Sequence, residues 1–86
     1  MDDGHKGVPS RDEIDEESRR ARRLQIVVHL ALSIIAQGSL PYEEAQELSA
    51  ATKRVALTLF PDKEFAYDLI YRPKFQRLLR EVYRLQ

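Results

Sequence analysis

The chain has 86 residues, and its fourteen basic and fourteen acidic side chains cancel to a formal net charge of zero. This length predicts one domain with a small core, and the neutrality excludes an overall field that would attract nucleic acid or anionic lipid. The absence of cysteine excludes disulfides, thiolate metal sites and a cysteine nucleophile, and it is typical of a reducing compartment. We therefore expect a cytoplasmic protein that associates with another protein or with itself.

The N-terminal nine residues differ in composition from the rest of the chain. Residues 1–9 hold two of the three glycines, several charges and little apolar content, which is typical of a flexible tail. Ser10 and Glu13 then have the spacing of a capping box, and the acids that follow favour a helix N-terminus. We expect a single helical domain over residues 10–86, with a first helix that stops at Gly38.

The second half of this first helix is apolar on almost every side. Between Leu24 and Gln37 the polar residues are spaced by four, which predicts a helix with one narrow polar stripe: Gln25, His29, Ser33 and Gln37. Such a helix must be covered on nearly every side, either at the centre of a bundle or in a subunit interface. The residues expected in an oligomer interface are Val27, His29, Leu30 and Ile34.

The same apolar run is too short to cross a membrane. It has 13 residues from Leu24 to Ala36, whereas a membrane-spanning helix needs about 20. Four arginines between Arg19 and Arg23 precede it and imitate an export signal, but the 18 residues before them carry seven acids. We expect neither a membrane segment nor export, and we interpret the arginines as a helix face that the preceding acids neutralise.

Three further helices are predicted after Gly38. Pro41 suits the first turn of a second helix with Ser39 as its cap, and Asp62 is expected to cap a short third helix. Pro73 begins the fourth. The expected core faces are Ala45, Leu48, Thr52, Val55, Ala56 and Leu59 on the second helix, and Phe75, Leu78, Leu79, Val82 and Leu85 on the fourth. The sequence therefore predicts an all-α fold, a small bundle of three longer helices plus one short helix.

Six of the seven aromatic residues fall within the last 27 positions. Aromatic rings dominate the energetics of cores and interfaces, so this segment is where we expect packing or partner binding to be organised. The phenylalanines Phe60, Phe65 and Phe75 are expected in the core. Tyr67 and Tyr71, four residues apart on the short helix, are expected to edge a groove.

No constellation of residues indicates catalysis or metal binding. His29 lies on the polar stripe and is interpreted as a structural or interface histidine. The acids Asp62, Glu64 and Asp68 lack the glycine and ligand spacing of a calcium loop, and the serines occupy no nucleophile elbow. We expect no metal, no cofactor and no enzymatic activity.

A row of arginines completes the set of candidate functional residues. They recur at i, i+3 and i+7 on the fourth helix, opposite its expected core face. The residues expected to bind a partner are Tyr67, Tyr71, Arg77, Arg80 and Arg84. The sequence favours a non-enzymatic protein interaction module, a small adaptor or regulatory subunit that binds another protein or itself. The alternative is a nucleic-acid-binding regulator that presents this arginine row to phosphates.

Overall fold

The computed structural model describes residues 10–84, which form four helices. These are α1 (Arg11–Ala36), α2 (Tyr42–Leu59), α3 (Glu64–Ile70) and α4 (Arg72–Tyr83). The predicted all-α fold of three longer helices and one short helix is confirmed, and α3 and α4 are two pieces of one bent helix. The predicted tail at residues 1–9 and the predicted core residue Leu85 lie outside the described residues.

Both ends of α1 form as the local sequence predicts. The hydroxyl of Ser10 accepts from the backbone N–H of Glu13 at 3.1 Å, and the Glu13 carboxylate accepts from the Ser10 N–H at 2.7 Å. This reciprocal pair is a capping box and satisfies two amides that the helix leaves free. At the other end Gly38 has φ of 71°, a left-handed conformation that glycine adopts without strain, and its N–H bonds to the carbonyl of Ile35.

The predicted caps of α2 and α3 are wrong. The residue at the α2 N-cap is Pro41, not Ser39, and the residue at the α3 N-cap is Lys63, not Asp62. Among residues 10–84 no side chain caps either helix. Ser39 and Asp62 each lie before the cap position, so neither side chain is placed to accept from the first-turn amides.

A bend at Tyr71 joins α3 to α4. The Tyr71 N–H bonds to the Tyr67 carbonyl at 2.8 Å, and the Phe75 N–H bonds to the Tyr71 carbonyl at 3.2 Å, so helical bonding continues on both sides. Pro73 lies in the first turn of α4. It has no N–H to donate, and its ring disfavours a straight helix through this point. As a result α3 packs on α2, while α4 packs on both α1 and α2.

The core is centred on Phe75 and Ile35, which are 1% and 0% exposed. The other members of the buried cluster come from α1, α2 and α4: Val28, Ala31, Ala45 and Leu79. Thr52 is the buried polar residue of α2, and its hydroxyl donates to the Leu48 carbonyl at 2.8 Å. Its hydrogen bond therefore offsets the cost of placing a hydroxyl in the core.

The end of α4 is tied to the loop between α1 and α2. The Tyr83 hydroxyl donates to the Leu40 carbonyl at 2.6 Å. Its ring also meets the ring of Tyr42 edge to face, with the centroids 5.5 Å apart. These contacts hold the C-terminal end of α4 against the connection between α1 and α2, because Leu40 lies in that connection and Tyr42 opens α2.

Burial differs from the sequence expectation at Phe65 and at Val55. Phe65 was expected in the core and is 80% exposed, whereas Tyr67 on the same short helix is 6% exposed. Phe65 and Tyr67 lie about 200° apart around the helix, so Phe65 faces solvent when Tyr67 faces the core. Val55 is likewise 38% exposed, although it was placed on the core face of α2.

These burial values predict opposite outcomes for two phenylalanine truncations. Phe75→Ala is expected to lower the free energy of unfolding by about 3–5 kcal/mol, because it removes a ring from the centre of the core. Phe65→Ala is the matched control and is expected to change it by less than about 0.5 kcal/mol. Urea unfolding followed by circular dichroism measures both, and an equal loss in the two variants would contradict this packing.

Candidate functional site

An apolar row lies along the outside of α1. Ile26, Leu30 and Ile34 recur every four residues and are 55%, 57% and 37% exposed. They lie on the same side of the helix, away from the buried Val28, Ala31 and Ile35. We call Ile26, Leu30 and Ile34 the outer row.

The outer row bears on the two alternatives for α1. Among residues 10–84, α1 packs on α2 and α4 and keeps one side open, so it is not enclosed at the centre of a bundle, and its place in a subunit interface stays a prediction. Of the predicted interface residues, Leu30 and Ile34 belong to the row, Val27 is half-buried beside it, and His29 is exposed on the polar stripe. Ile26 was not among the predicted residues. Its spacing from Leu30 was the signal that could have found it.

A second apolar feature is a cleft of about 220 Å³ where α1, α2 and α3 meet. Both Tyr67 and Tyr71 line it, in agreement with the expectation that they edge a groove. Leu57 lines it too, although it lies off the predicted face of α2. The full lining is Leu24, Ala56, Leu57, Phe60, Lys63, Ala66, Tyr67, Ile70 and Tyr71.

Three cations surround this cleft, each on or beside a lining residue. The guanidinium of Arg20 lies 5.7 Å from the ring centroid of Phe60, and the ammonium of Lys74 lies 5.9 Å from that of Tyr71. Lys63 is itself part of the lining. Cations over aromatic faces are held there by the ring quadrupole. We call Arg20, Lys63 and Lys74 the cationic rim, because these three cations lie at the edge of an apolar cleft; Arg20 also pairs with Glu16 at 3.4 Å.

Lys53 fastens α3 to α2 beside the cleft. Its ammonium lies 2.9 Å from a carboxylate oxygen of Glu64 and 2.9 Å from one of Asp68. The hydrogen bonds to Glu64 and Asp68 raise the pKa of Lys53 above its usual value of 10.5. The ion pairs therefore support the fold below that pH and weaken as the pH rises through the raised pKa.

Tyr67 forms the wall between the cleft and this ion-pair cluster. Its hydroxyl is buried and has no hydrogen-bond partner among residues 10–84. Burial raises the pKa of Tyr67 to about 12, partly opposed by the positive charge of Lys53. Since its ring is 6% exposed, Tyr67 supports the cleft wall and is not a freely accessible partner contact. Tyr71 is half-buried.

The predicted arginine row is separate from the cleft. Arg77, Arg80 and Arg84 are all exposed. Arg77 and Arg80 lie on the side of α4 opposite the buried Phe75 and Leu79, whereas Arg84 is the C-cap with a left-handed φ of 53°, so the predicted row does not continue to it along the helix. The structure does not bring this row together with Tyr67, which is buried between α2 and α3. Contact of Tyr71 and of the three arginines with a partner stays a prediction.

Features typical of two other functional classes are absent from the described residues. Within residues 10–84 no group of three or more histidine, cysteine or acidic side chains is arranged to hold a metal ion. No helix of that stretch is both long and apolar enough to cross a membrane. Comparison of the chain with protein-family models, with curated proteins and with solved structures found no match.

The unpartnered hydroxyl generates a prediction for Tyr67→Phe. At pH 7 the variant is expected to gain about 1 kcal/mol in free energy of unfolding, because a buried hydroxyl without a partner costs roughly 1–3 kcal/mol. Tyr71→Phe is the control and is expected to gain nothing, since Tyr71 is only half-buried. A loss of stability in Tyr67→Phe at pH 7 would show that the hydroxyl is satisfied.

The raised pKa of Tyr67 adds a pH dependence. The unfolded chain loses this proton near pH 10 and the folded chain near pH 12. The stability of the wild type should therefore fall between these values by about 1.4 kcal/mol per pH unit through this group. Tyr67→Phe lacks this term, so its advantage over the wild type should widen from pH 10 to pH 12 in urea unfolding. A constant difference would contradict the shift.

Proposed function

We propose that this chain is a non-enzymatic helical interaction module, a small cytoplasmic adaptor or regulatory subunit. The single observation that carries this function is the outer row of α1, three large aliphatic side chains left exposed in a line on the longest helix. The partner that this surface suits is another protein chain that offers an apolar groove or an amphipathic helix.

The energetics of the outer row favour coverage by a partner. Complete burial of an aliphatic side chain contributes about 1.5–3 kcal/mol, and about half of that remains to be gained at each residue of the row. The three together contribute on the order of 3 kcal/mol. This is a useful fraction of the roughly 8 kcal/mol that corresponds to a micromolar complex.

The surroundings of the row resemble the edge of a protein interface. Exposed Gln25, His29 and Ser33 run alongside the outer row on the same helix. Interfaces commonly have an apolar centre and a polar rim that stays in contact with water. In this proposal Leu30 is the centre and the polar stripe is part of the rim.

Self-association through the same row is the second form of this function. Two copies could place their outer rows against each other, because an isologous interface uses one surface twice. The zero net charge of the chain does not oppose such pairing. A partner protein is the form that we favour, since three half-exposed side chains are a small surface for a homodimer on their own.

The alternative function is nucleic-acid binding through Arg77, Arg80 and Arg84. The observation in its favour is that Arg77 and Arg80 are exposed on one side of α4 and Arg84 is exposed at its C-cap, where they could contact phosphates. Zero net charge weighs against it, because long-range attraction to phosphates is missing.

A salt titration with labelled mixed-sequence duplex DNA separates the two functions. For an interaction module we expect no shift in fluorescence anisotropy at about 50 mM salt, where phosphate contacts are strongest. Binding that weakens steeply towards about 200 mM salt, and that is lost in the double variant Arg77→Ala with Arg80→Ala, would favour the nucleic-acid alternative instead.

The outer row is tested by Leu30→Glu. A charge at its centre is expected to weaken binding of a protein partner at least about tenfold, because the carboxylate would be desolvated in the complex. The protein is immobilised, exposed to nuclease-treated native lysate, and the retained polypeptides are quantified by mass spectrometry. The polypeptides that matter are those retained by the wild type and lost with Leu30→Glu.

Gln25→Glu is the matched control for this substitution. It places the same charge on an exposed position of the same helix, but on the polar stripe. The immobilised Gln25→Glu variant should retain the same polypeptides as the wild type. Circular dichroism should show that both variants have the helix content of the wild type. If Leu30→Glu retained the same polypeptides as Gln25→Glu, the outer row would not be the binding surface.

A further inference from the structure

The N-terminal third of α1 extends past the part that packs in the bundle. Every residue from 11 to 19 is exposed, and burial begins only at Arg20 and Ala21. These nine residues correspond to about 14 Å of helix. We call residues 11–19 the overhang.

The overhang continues the apolar seam of α1, which is the line of residues spaced by seven that the helix buries in the core. Ile14, Ala21, Val28 and Ile35 are seven residues apart, so they lie on one side of the helix. Val28 and Ile35 are buried, Ala21 is half-buried, and Ile14 is 48% exposed. The same apolar seam is therefore covered at one end of α1 and uncovered at the other.

The overhang and the cleft have opposite charges. The overhang carries five acids against two arginines, Arg11 and Arg19, so it is acidic on balance; the acids are Asp12, Glu13, Asp15, Glu16 and Glu17. The cleft is apolar and has the cationic rim of Arg20, Lys63 and Lys74 around it. An acidic helix with one isoleucine on its inner side is thus complementary to an apolar cleft with cations at its edge.

From this complementarity we infer that two copies of this chain pair about a two-fold axis, the overhang of each docking in the cleft of the other. Ile14 of one copy enters the cleft of its partner, and the flanking acids meet the partner's cationic rim. One surface thus supplies both the anchor and its receptor, as an isologous interface requires.

The position of the cleft along α1 allows this exchange. Leu24 belongs to the cleft lining and lies ten residues after Ile14, about 15 Å along the helix. Two antiparallel α1 helices that overlap over this length place each Ile14 beside the other Leu24. The two contacts then form together, and each overhang covers apolar surface that a single chain leaves open.

The size of the cleft favours a side chain over a small molecule. Ligand pockets usually enclose about 300–1,000 Å³, whereas this cleft encloses about 220 Å³. An aliphatic side chain with the turn of helix that carries it matches such a depression. The cleft and the overhang share no residue with the outer row, so this pairing is independent of the proposed function.

Charge reversal with complementation tests the pairing. One variant carries Asp12→Lys, Asp15→Lys and Glu17→Lys, which spares Glu13 of the capping box and Glu16, the partner of Arg20 at 3.4 Å. The other carries Lys63→Glu and Lys74→Glu. In a homodimer of either variant, like charges face each other at both contacts. In a heterodimer of the two variants, opposite charges face each other at both contacts.

Sedimentation velocity at low ionic strength should show the wild type as a dimer that weakens with added salt. Each variant alone should have a dimer Kd at least about tenfold higher, and an equimolar mixture should form the heterodimer. A wild type that stays monomeric at high micromolar concentration, or a mixture that fails to dimerise, would overturn the inference.

Ile14→Gln tests the anchor, with Phe65→Gln as its matched control, because Phe65 is 80% exposed and belongs neither to the cleft lining nor to the outer row. Because the substitution occurs twice in a dimer, Ile14→Gln is expected to raise the dimer Kd roughly thirtyfold, and Phe65→Gln to leave it unchanged. A dimer Kd that Ile14→Gln does not raise would overturn this pairing. The proposed function would then stand without it.

Discussion

The packing of Phe75 and Ile35 is the contact on which the other features of this protein depend. It joins α4 to α1 and, through Ala45, to α2 in one small buried cluster. The aromatic ring can reach this position because the chain bends at Tyr71, which turns α4 back over α1 while α3 stays on α2. The three-helix arrangement therefore follows from one large side chain and one bend, and Tyr83 then holds the end of α4 against the loop that follows α1.

A core of this size leaves part of α1 without cover. Two neighbouring helices can enclose only part of the circumference of a third, and α1 is apolar on more of its surface than α2 and α4 contact. The outer row and the overhang are the two consequences, one on the side of α1 away from the core and one beyond the end of the bundle. Both follow from the same mismatch between the apolar surface of one helix and the number of helices available to bury it.

The cleft depends on a different set of interactions. Lys53 holds α3 against α2 through Glu64 and Asp68, and the buried Tyr67 lines the cleft beside them. These contacts leave a depression towards α1 that no side chain of the described residues fills. Arg20 and Lys74 lie over aromatic rings of its own lining, so the apolar floor also positions two of the cations at its edge.

The sequence by itself determined the features that are local in the chain. The capping box at Ser10, the stop at Gly38 and the exposure of the arginines on α4 depend on residues within one or two turns, so spacing and propensity were enough to predict them. The tertiary structure alone decided which side of α1 stays open, that Tyr67 turns inward and Phe65 outward, and that Lys53 bridges two acids on another helix. These outcomes depend on the packing of segments that are far apart in the sequence. Side chains that are equivalent on an isolated helix become inequivalent only when a particular neighbour covers one of them.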